Sequence, residues 1–321
     1  MALTPEQLQQ YRDDGFIVVH DLFTEAELEP VIHAIEAKVD RLAAKLRASG
    51  KIADLMENEG FLTRLTKLEQ AFPGAATVVH TSGILPKAFS DVWSSKKLLD
   101  IIEQILGPEI VGHPVWNLRS KTPHNPLATV PWHQDTAYLA EGSENTLQPT
   151  AWIPLVDANG LNGCMQVVRG GHRGGRVYRH SLENARGHKD SWYLYIDEDD
   201  LPTGEIVTCT MKKGSVLLLN NIIPHRSTEN KSDIIRWSID LRWQRPGEQS
   251  GMEGIKEPIL MRTAADPNYQ PDWDEWGARS RQVGLADVLA DINEPIREAD
   301  TKVKSAPWME RWRRFAETHP N

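Results

Sequence analysis

In the segment Ile234-Ile235-Arg236-Trp237-Ser238-Ile239-Asp240-Leu241-Arg242-Trp243, large apolar and polar side chains alternate from Ile235 onward. Successive side chains of an extended chain point to opposite faces, so Ile235, Trp237, Ile239, Leu241 and Trp243 share one face and Arg236, Ser238, Asp240 and Arg242 the other. Alone, this is the pattern of a surface strand with its polar face in water. A second segment changes the reading, because Asn117, Arg119 and Lys121 also fall on a common face. Two strands with basic and polar stripes suit a barrel whose interior holds a charged ligand.

The neighbouring text is β-rich. Between about 109 and 245, short runs are separated by Gly, Pro and Asn turns: Ile110 to Ser120, Thr150 to Val156, Met165 to Arg169, Gly204 to Thr210, Ser215 to Leu219 and the opening segment. The preceding residues read as helical. Thr4-Pro5-Glu6-Gln7 has the form of a capping box with proline in the first turn, predicting a helix that stops near Gly15. Phe16 to Val19 is a short β run. Thr24 to about Ala48 places Leu28, Val31, Ile32, Ile35, Val39, Leu42 and Leu46 at helical spacing. Residues 61–107 are mostly helical, with breaks around Pro73-Gly74 and from Gly83 to Pro86. After Pro246 the pattern is mixed, with a helix expected at Ala306 to His319, where Trp308, Trp312 and Phe315 make one stripe. That stripe is expected to dock on the core, with a homodimer contact as second choice. The expected organisation is one domain over 1–321: a helical layer (1–108), a β core (109–245) and a C-terminal extension (246–321).

Acidic residues number 45 against 36 basic ones, a net charge of −9, which argues against a nucleic-acid or anionic-membrane binder. An anionic ligand must therefore meet a local basic site. No apolar run is long enough to cross a bilayer and no leader pattern opens the chain, so a cytoplasmic protein is expected. Cys164 and Cys209 are too few for a disulfide scaffold.

Within Pro131-Trp132-His133-Gln134-Asp135-Thr136, His133 and Asp135 lie on one side of an extended chain and can hold one ion together. A His-x-Asp triplet by itself is a weak signal. His225 follows ninety-two residues later, after the apolar run from Ser215 to Leu219, and Arg236 stands eleven residues beyond it. Two imidazoles and one carboxylate form the facial triad of non-haem Fe(II) oxygenases, leaving three positions for a 2-oxo acid and O₂. A guanidinium matches a carboxylate with two parallel hydrogen bonds, so Arg236, helped by Ser238, suits the far carboxylate of 2-oxoglutarate.

These residues and their surroundings resemble the phytanoyl-CoA dioxygenase family of Fe(II)- and 2-oxoglutarate-dependent oxygenases. Lys121-Thr122-Pro123 is similar to the family's Lys-Pro-Pro lead-in. Thr150 to Ala158 and Asn162 to Val168 resemble its central strand pair, and Gly170-Gly171-His172-Arg173 its Pro-Gly-Ser-His turn, from which Arg169 and Gly171 depart. Gln10 to Val19 resembles its first helix and strand. The likeness spans about residues 5–245. It implies a double-stranded β-helix, a jelly-roll or cupin-like core, with helices outside. It also implies His133, Asp135 and His225 as iron ligands and Arg236 as the 2-oxoglutarate clamp, with Asn117 and Trp152 lining the co-substrate.

The implied reaction oxidises a substrate C–H bond, usually to an alcohol, and releases succinate and CO₂. With Asp135 as a ligand no halide position is vacant, which argues against a halogenase. A small metabolite or natural-product intermediate is the expected substrate, with Arg119, Tyr138 and Arg242 as candidate contacts and segments 75–90 and 185–203 as candidate lids. An acyl-CoA is the alternative, and it would need a basic groove. A metal-binding cupin-like module without turnover is a further alternative, against which Arg236 counts. His172 is expected to make a structural hydrogen bond, and none of the remaining histidines is expected to bind metal.

Overall fold

The computed structural model describes residues 2–81, 85–182, 191, 193–252, 257–281, 288–289, 291, 293–301 and 307–318. In chain order the elements are α1 (Pro5–Asp14), β1 (Phe16–Val19), α2 (Glu25–Ala48), α3 (Arg64–Ala71), α4 (Ala75–Thr81), α5 (Lys87–Trp93), α6 (Lys96–Leu106), β2 (Ile110–Gly112), β3 (Asn117–Lys121), β4 (Thr150–Pro154), β5 (Met165–Val168), β6 (Ser181–Leu182), β7 (Leu194–Tyr195), β8 (Ile206–Cys209), β9 (Val216–Leu219), β10 (His225–Ser227), β11 (Arg236–Gln244), β12 (Ile259–Arg262), α7 (Trp273–Arg281) and α8 (Pro307–Thr318).

Local chemistry sets many of these boundaries. Thr4 and Thr24 each close a reciprocal capping box, with Gln7 and Glu27. Gly15 ends α1 at φ 82°, a left-handed conformation that glycine adopts without steric cost. The expected strand from Ile110 to Ser120 is two strands. Pro114 has no N–H to give a ladder, and His113 makes the last backbone bond before it, donating to Arg242 O at 3.0 Å. The helical stretch breaks at Pro73-Gly74 as expected, and the Gly83 part of the second break lies outside the described residues. Among the described residues no helix is long and apolar enough to cross a membrane.

The larger sheet runs β1-β9-β4-β11-β2-β12, with β3 also paired to β11. The smaller sheet runs β10-β5-β8, and an antiparallel bridge between His133 and His225 adds the chain at His133 to its edge. Every pairing is antiparallel. Residues of both sheets line a common cavity, as in a jelly roll.

All nine residues of β11 are buried, so neither of its faces is in water. Its apolar face joins a cluster that includes Leu28 and Ile35 of α2 and Ile101 of α6. Trp237 stacks on Phe61 at 5.4 Å and 19°, and its indole N–H donates to Phe61 O at 2.9 Å. Its polar face lines the cavity, which makes β11 the wall between the helical layer and the site. Trp237→Ala should cost roughly 3–5 kcal/mol, read as a lower urea midpoint at unchanged slope. A loss below about 1 kcal/mol would mean that the wall is held elsewhere.

The tail packs on the same body. Trp276 makes an edge contact with Trp93 at 6.1 Å. In α8, Trp312 is buried against Ala137 and Leu194 and donates its indole N–H to Ala137 O at 2.9 Å. The apolar stripe is thus spent within the chain, just behind the metal triplet.

Candidate active site

The two histidines of the triad are placed by the backbone. His133 N donates to His225 O and His225 N to His133 O, both at 2.9 Å, so the residues form a hydrogen-bonded antiparallel pair. Their rings consequently lie 4.2 Å apart. Each Nδ1 meets a backbone carbonyl, Pro131 O at 2.8 Å and Ile223 O at 3.0 Å. A carbonyl only accepts, so each Nδ1 carries a proton and Nε2 is the atom that presents a lone pair when the ring is neutral. Burial, then the neighbouring His133, lowers the His225 pKa to about 4, leaving it neutral at physiological pH.

Asp135 follows Gln134, whose extended backbone (φ −114°, ψ 136°) carries His133 and Asp135 to the same side. The Gln134 side chain turns away into the protein and donates to Ile222 O at 2.6 Å. Asp135 Oδ1 lies 3.7 Å from the Nε2 of both histidines. Burial pushes the Asp135 pKa up, but Arg242, followed by the two histidines, holds it well below the usual carboxylate range. Among the described residues His133, Asp135 and His225 are the one group of three whose ligand atoms converge, all within 4.8 Å of one another. Neutral imidazoles and an ionised carboxylate are the donors a divalent first-row metal takes, so iron fits this set. His172 Nε2 donates to Arg12 O (2.9 Å), the structural role expected of it.

Arg236 stands across the cavity. It is 2% exposed; one NH1 bond to Ser238 Oγ (2.7 Å) fixes it, and its Nε has no partner. Its guanidinium lies over the Trp152 ring at 5.0 Å, so Trp152 walls this end of the site. Burial lowers the Arg236 pKa to about 10, which leaves it charged at neutral pH. In the β3–β11 register Lys121 is directly opposite Arg236, and its buried Nζ also has no partner. Burial, then Arg236 and Arg119, pushes the Lys121 pKa well down. An unpartnered buried polar atom is costly, and Arg236 and Lys121 place two of them side by side on the cavity wall.

The cavity has two lobes that meet at the metal triplet. One, of about 290 Å³, holds Arg236, Lys121 and Trp152 and opens past Glu69, Pro73, Leu127 and Ala128. The other, of about 260 Å³, is walled by Val115, Tyr138, Leu139, Met252 and Trp308. Asn117 lies in this second lobe; its Oδ1 accepts from Arg242 at 3.1 Å and Arg119 at 3.4 Å. Arg119 gives its Nε to Asp240 Oδ2 at 3.0 Å. Arg242 spends Nε and NH2 on Asp135 and lines both lobes. Tyr138 stays at the wall, edge-on to His133 at 5.5 Å, with its OH accepting from Leu194 N.

Of the two lid segments, Ala76, Thr77 and His80 of the first and Ser191 and Tyr193 of the second line the cavity. Residues 82–84, 185–190 and 192 lie outside the described residues. Sequence reasoning missed Thr150, Tyr193 and Trp308. Thr150 carried a signal, since it shares a strand face with Trp152.

The sequence profile of the family described as Phytanoyl-CoA dioxygenase (PhyH) matches residues 11–238. Phytanoyl-CoA dioxygenase domain-containing protein 1 of Bos taurus is 25% identical over 262 residues, covering 72% of this chain and 87% of its own. Ectoine dioxygenase of Bordetella parapertussis is 24% identical over 243 residues, 72% of each chain. The solved apo structure of the non-heme monooxygenase ThoJ superposes with a TM-score of 0.58 at 17% identity, covering 98% of this chain and 100% of that one, a likeness of fold. With the profile spanning more than two thirds of the sequence and ending inside the strand that carries Arg236, the chain belongs to the phytanoyl-CoA dioxygenase family.

Proposed function

We propose that this protein is a non-haem Fe(II)- and 2-oxoglutarate-dependent dioxygenase that hydroxylates a C–H bond of a small-molecule metabolite or natural-product intermediate, releasing succinate and CO₂. In this reading residues 1–321 act as one oxygenase unit. The observation that carries it is Arg236: a charged guanidinium with a free Nε, held by Ser238 and Trp152 inside the cavity that contains the triad. A metal-binding module without turnover has no use for such a cation. A dicarboxylate with one end at the metal meets it with the other.

His133, Asp135 and His225 would hold iron, which when bound supplies the activation of O₂ and the oxidation of the substrate carbon. The chain's own contribution is placement. The paired histidines present two lone pairs, Arg236 and Lys121 orient the co-substrate, and β11 keeps the helical layer between the site and water. A coenzyme-A thioester would bring phosphates to the mouth, where, among the described residues, Glu69, Pro73, Leu127 and Ala128 offer no cation. That rim favours a smaller substrate lacking phosphates.

Anaerobic addition of 2-oxoglutarate to the Fe(II)-loaded protein should produce a visible charge-transfer band that saturates at one equivalent. Fe(II) binding with no band would reduce the protein to a metal-binding module. With the band in hand, metabolite pools can be screened for succinate release coupled to a mass gain of one oxygen.

A further inference from the structure

Asp135 offers its two oxygens to different partners. Oδ2 accepts from Thr150 Oγ1 at 2.9 Å, Arg242 NH2 at 3.1 Å and Arg242 Nε at 3.2 Å. Oδ1 is left facing the two histidine Nε2 atoms, 3.7 Å from each. The donors to Oδ2 are themselves fixed. Arg242 and Thr150 are register partners across β11 and β4, so their side chains leave the sheet side by side. Arg242 is 7% exposed, its NH1 donates to Asn117 Oδ1 at 3.1 Å, and its backbone carbonyl receives the indole N–H of the buried Trp93 at 3.0 Å.

We propose that Arg242, seconded by Thr150, is a positioning residue that commits Asp135 to single-oxygen ligation. An oxygen already accepting three hydrogen bonds, two of them from a cation, has no lone pair left for a metal. Were the carboxylate free to turn, both oxygens could bind the ion and take a position that the 2-oxo acid or O₂ needs. The role of Arg242 therefore lies with the metal, although the polar stripe of β11 by itself gives no reason to separate it from Arg236.

The inference rests on the metal-site reading of the triad, and Co(II) binding by the wild-type protein tests that reading separately. Three variants then test the inference: Arg242→Met, Thr150→Val and Arg242→Lys, each followed by Co(II) titration, by the ligand-field absorption of the Co(II) form, and by circular dichroism of the metal-free form. Arg242→Met should weaken Co(II) by about 10–100-fold, the usual loss for an outer partner of a ligand, and should change band positions and intensities. Thr150→Val should move both readouts the same way by less, and Arg242→Lys should restore part of the affinity. Folded Arg242→Met with wild-type or tighter Co(II) binding and an unchanged spectrum would overturn the proposal. Should that variant not fold, Thr150→Val decides: a wild-type affinity and spectrum there overturns it, and a shift in both supports it. Failure of the wild-type protein to bind Co(II) would instead remove the metal site itself.

Discussion

Asp135→Ala is expected to abolish 2-oxoglutarate turnover and the Fe(II)·2-oxoglutarate band. The loss should exceed the roughly 10–100-fold that follows removal of an outer partner, because here a ligand itself is gone. Two histidines would remain, each with its Nδ1 proton held by a backbone carbonyl. The change also strips Arg242 of the carboxylate it is bound to, 3.1 Å away. Breaking a buried pair from one side costs about 3–5 kcal/mol, so the Ala variant should melt lower than wild type. Asp135→Asn separates the two effects. It keeps the shape and an oxygen for Thr150 while removing the charge, so it should stay closer to wild type in stability and still lose the band. Substrate-linked succinate release at the wild-type rate in either folded variant would sink the metal assignment.

The parts of this site that were legible in the sequence are those carried by alternation along one strand. The two faces of β11 are both buried, and the one holding Arg236, Ser238, Asp240 and Arg242 does line the cavity. The i, i+2 relation of His133 and Asp135 survives because Gln134 is extended. Strand-to-strand register was not legible, and it decides what each charge is for. The register β3 to β11 sets Ser238 against Arg119 and Asp240 against Asn117, so that Arg119 reaches Asp240; β4 to β11 sets Thr150 against Arg242 and brings both to Asp135. Three arginines that look equivalent on one polar stripe system thus divide into a cation paired with Asp240, a holder of the metal carboxylate, and Arg236 with a free Nε. Strand β10 has three residues and Pro224 immediately before it, too short a run for a period to show. Trp308 and Tyr193 reach the site from segments whose local pattern carries no mark of it.

Arg236→Met should give opposite signs in function and stability, and this follows from the same observation that assigns its role. In the bound state two charge-assisted hydrogen bonds to a carboxylate, at about 1.5–3 kcal/mol each, correspond to roughly two to four powers of ten in affinity. Removing them should raise the 2-oxoglutarate Kd of the Fe(II) protein by at least about 100-fold, leaving Co(II) or Fe(II) affinity near wild type, because no triad residue touches Arg236. Arg236→Lys should recover part of the loss, limited by a point charge that cannot form the paired bonds. In the ligand-free protein the balance reverses. Arg236 is 2% exposed with an unpartnered Nε, and its neighbour across the sheet, Lys121, is a second buried basic group without a partner for its Nζ. Exchanging that guanidinium for an apolar side chain of similar length removes a desolvated charge, so the metal-free variant should be more stable by about 1–4 kcal/mol. Stability given up for binding is what a site pre-formed around an absent anion predicts. A guanidinium kept only for structure predicts a lower melting point with 2-oxoglutarate binding unchanged, and that pair of results would overturn its assignment as the co-substrate clamp.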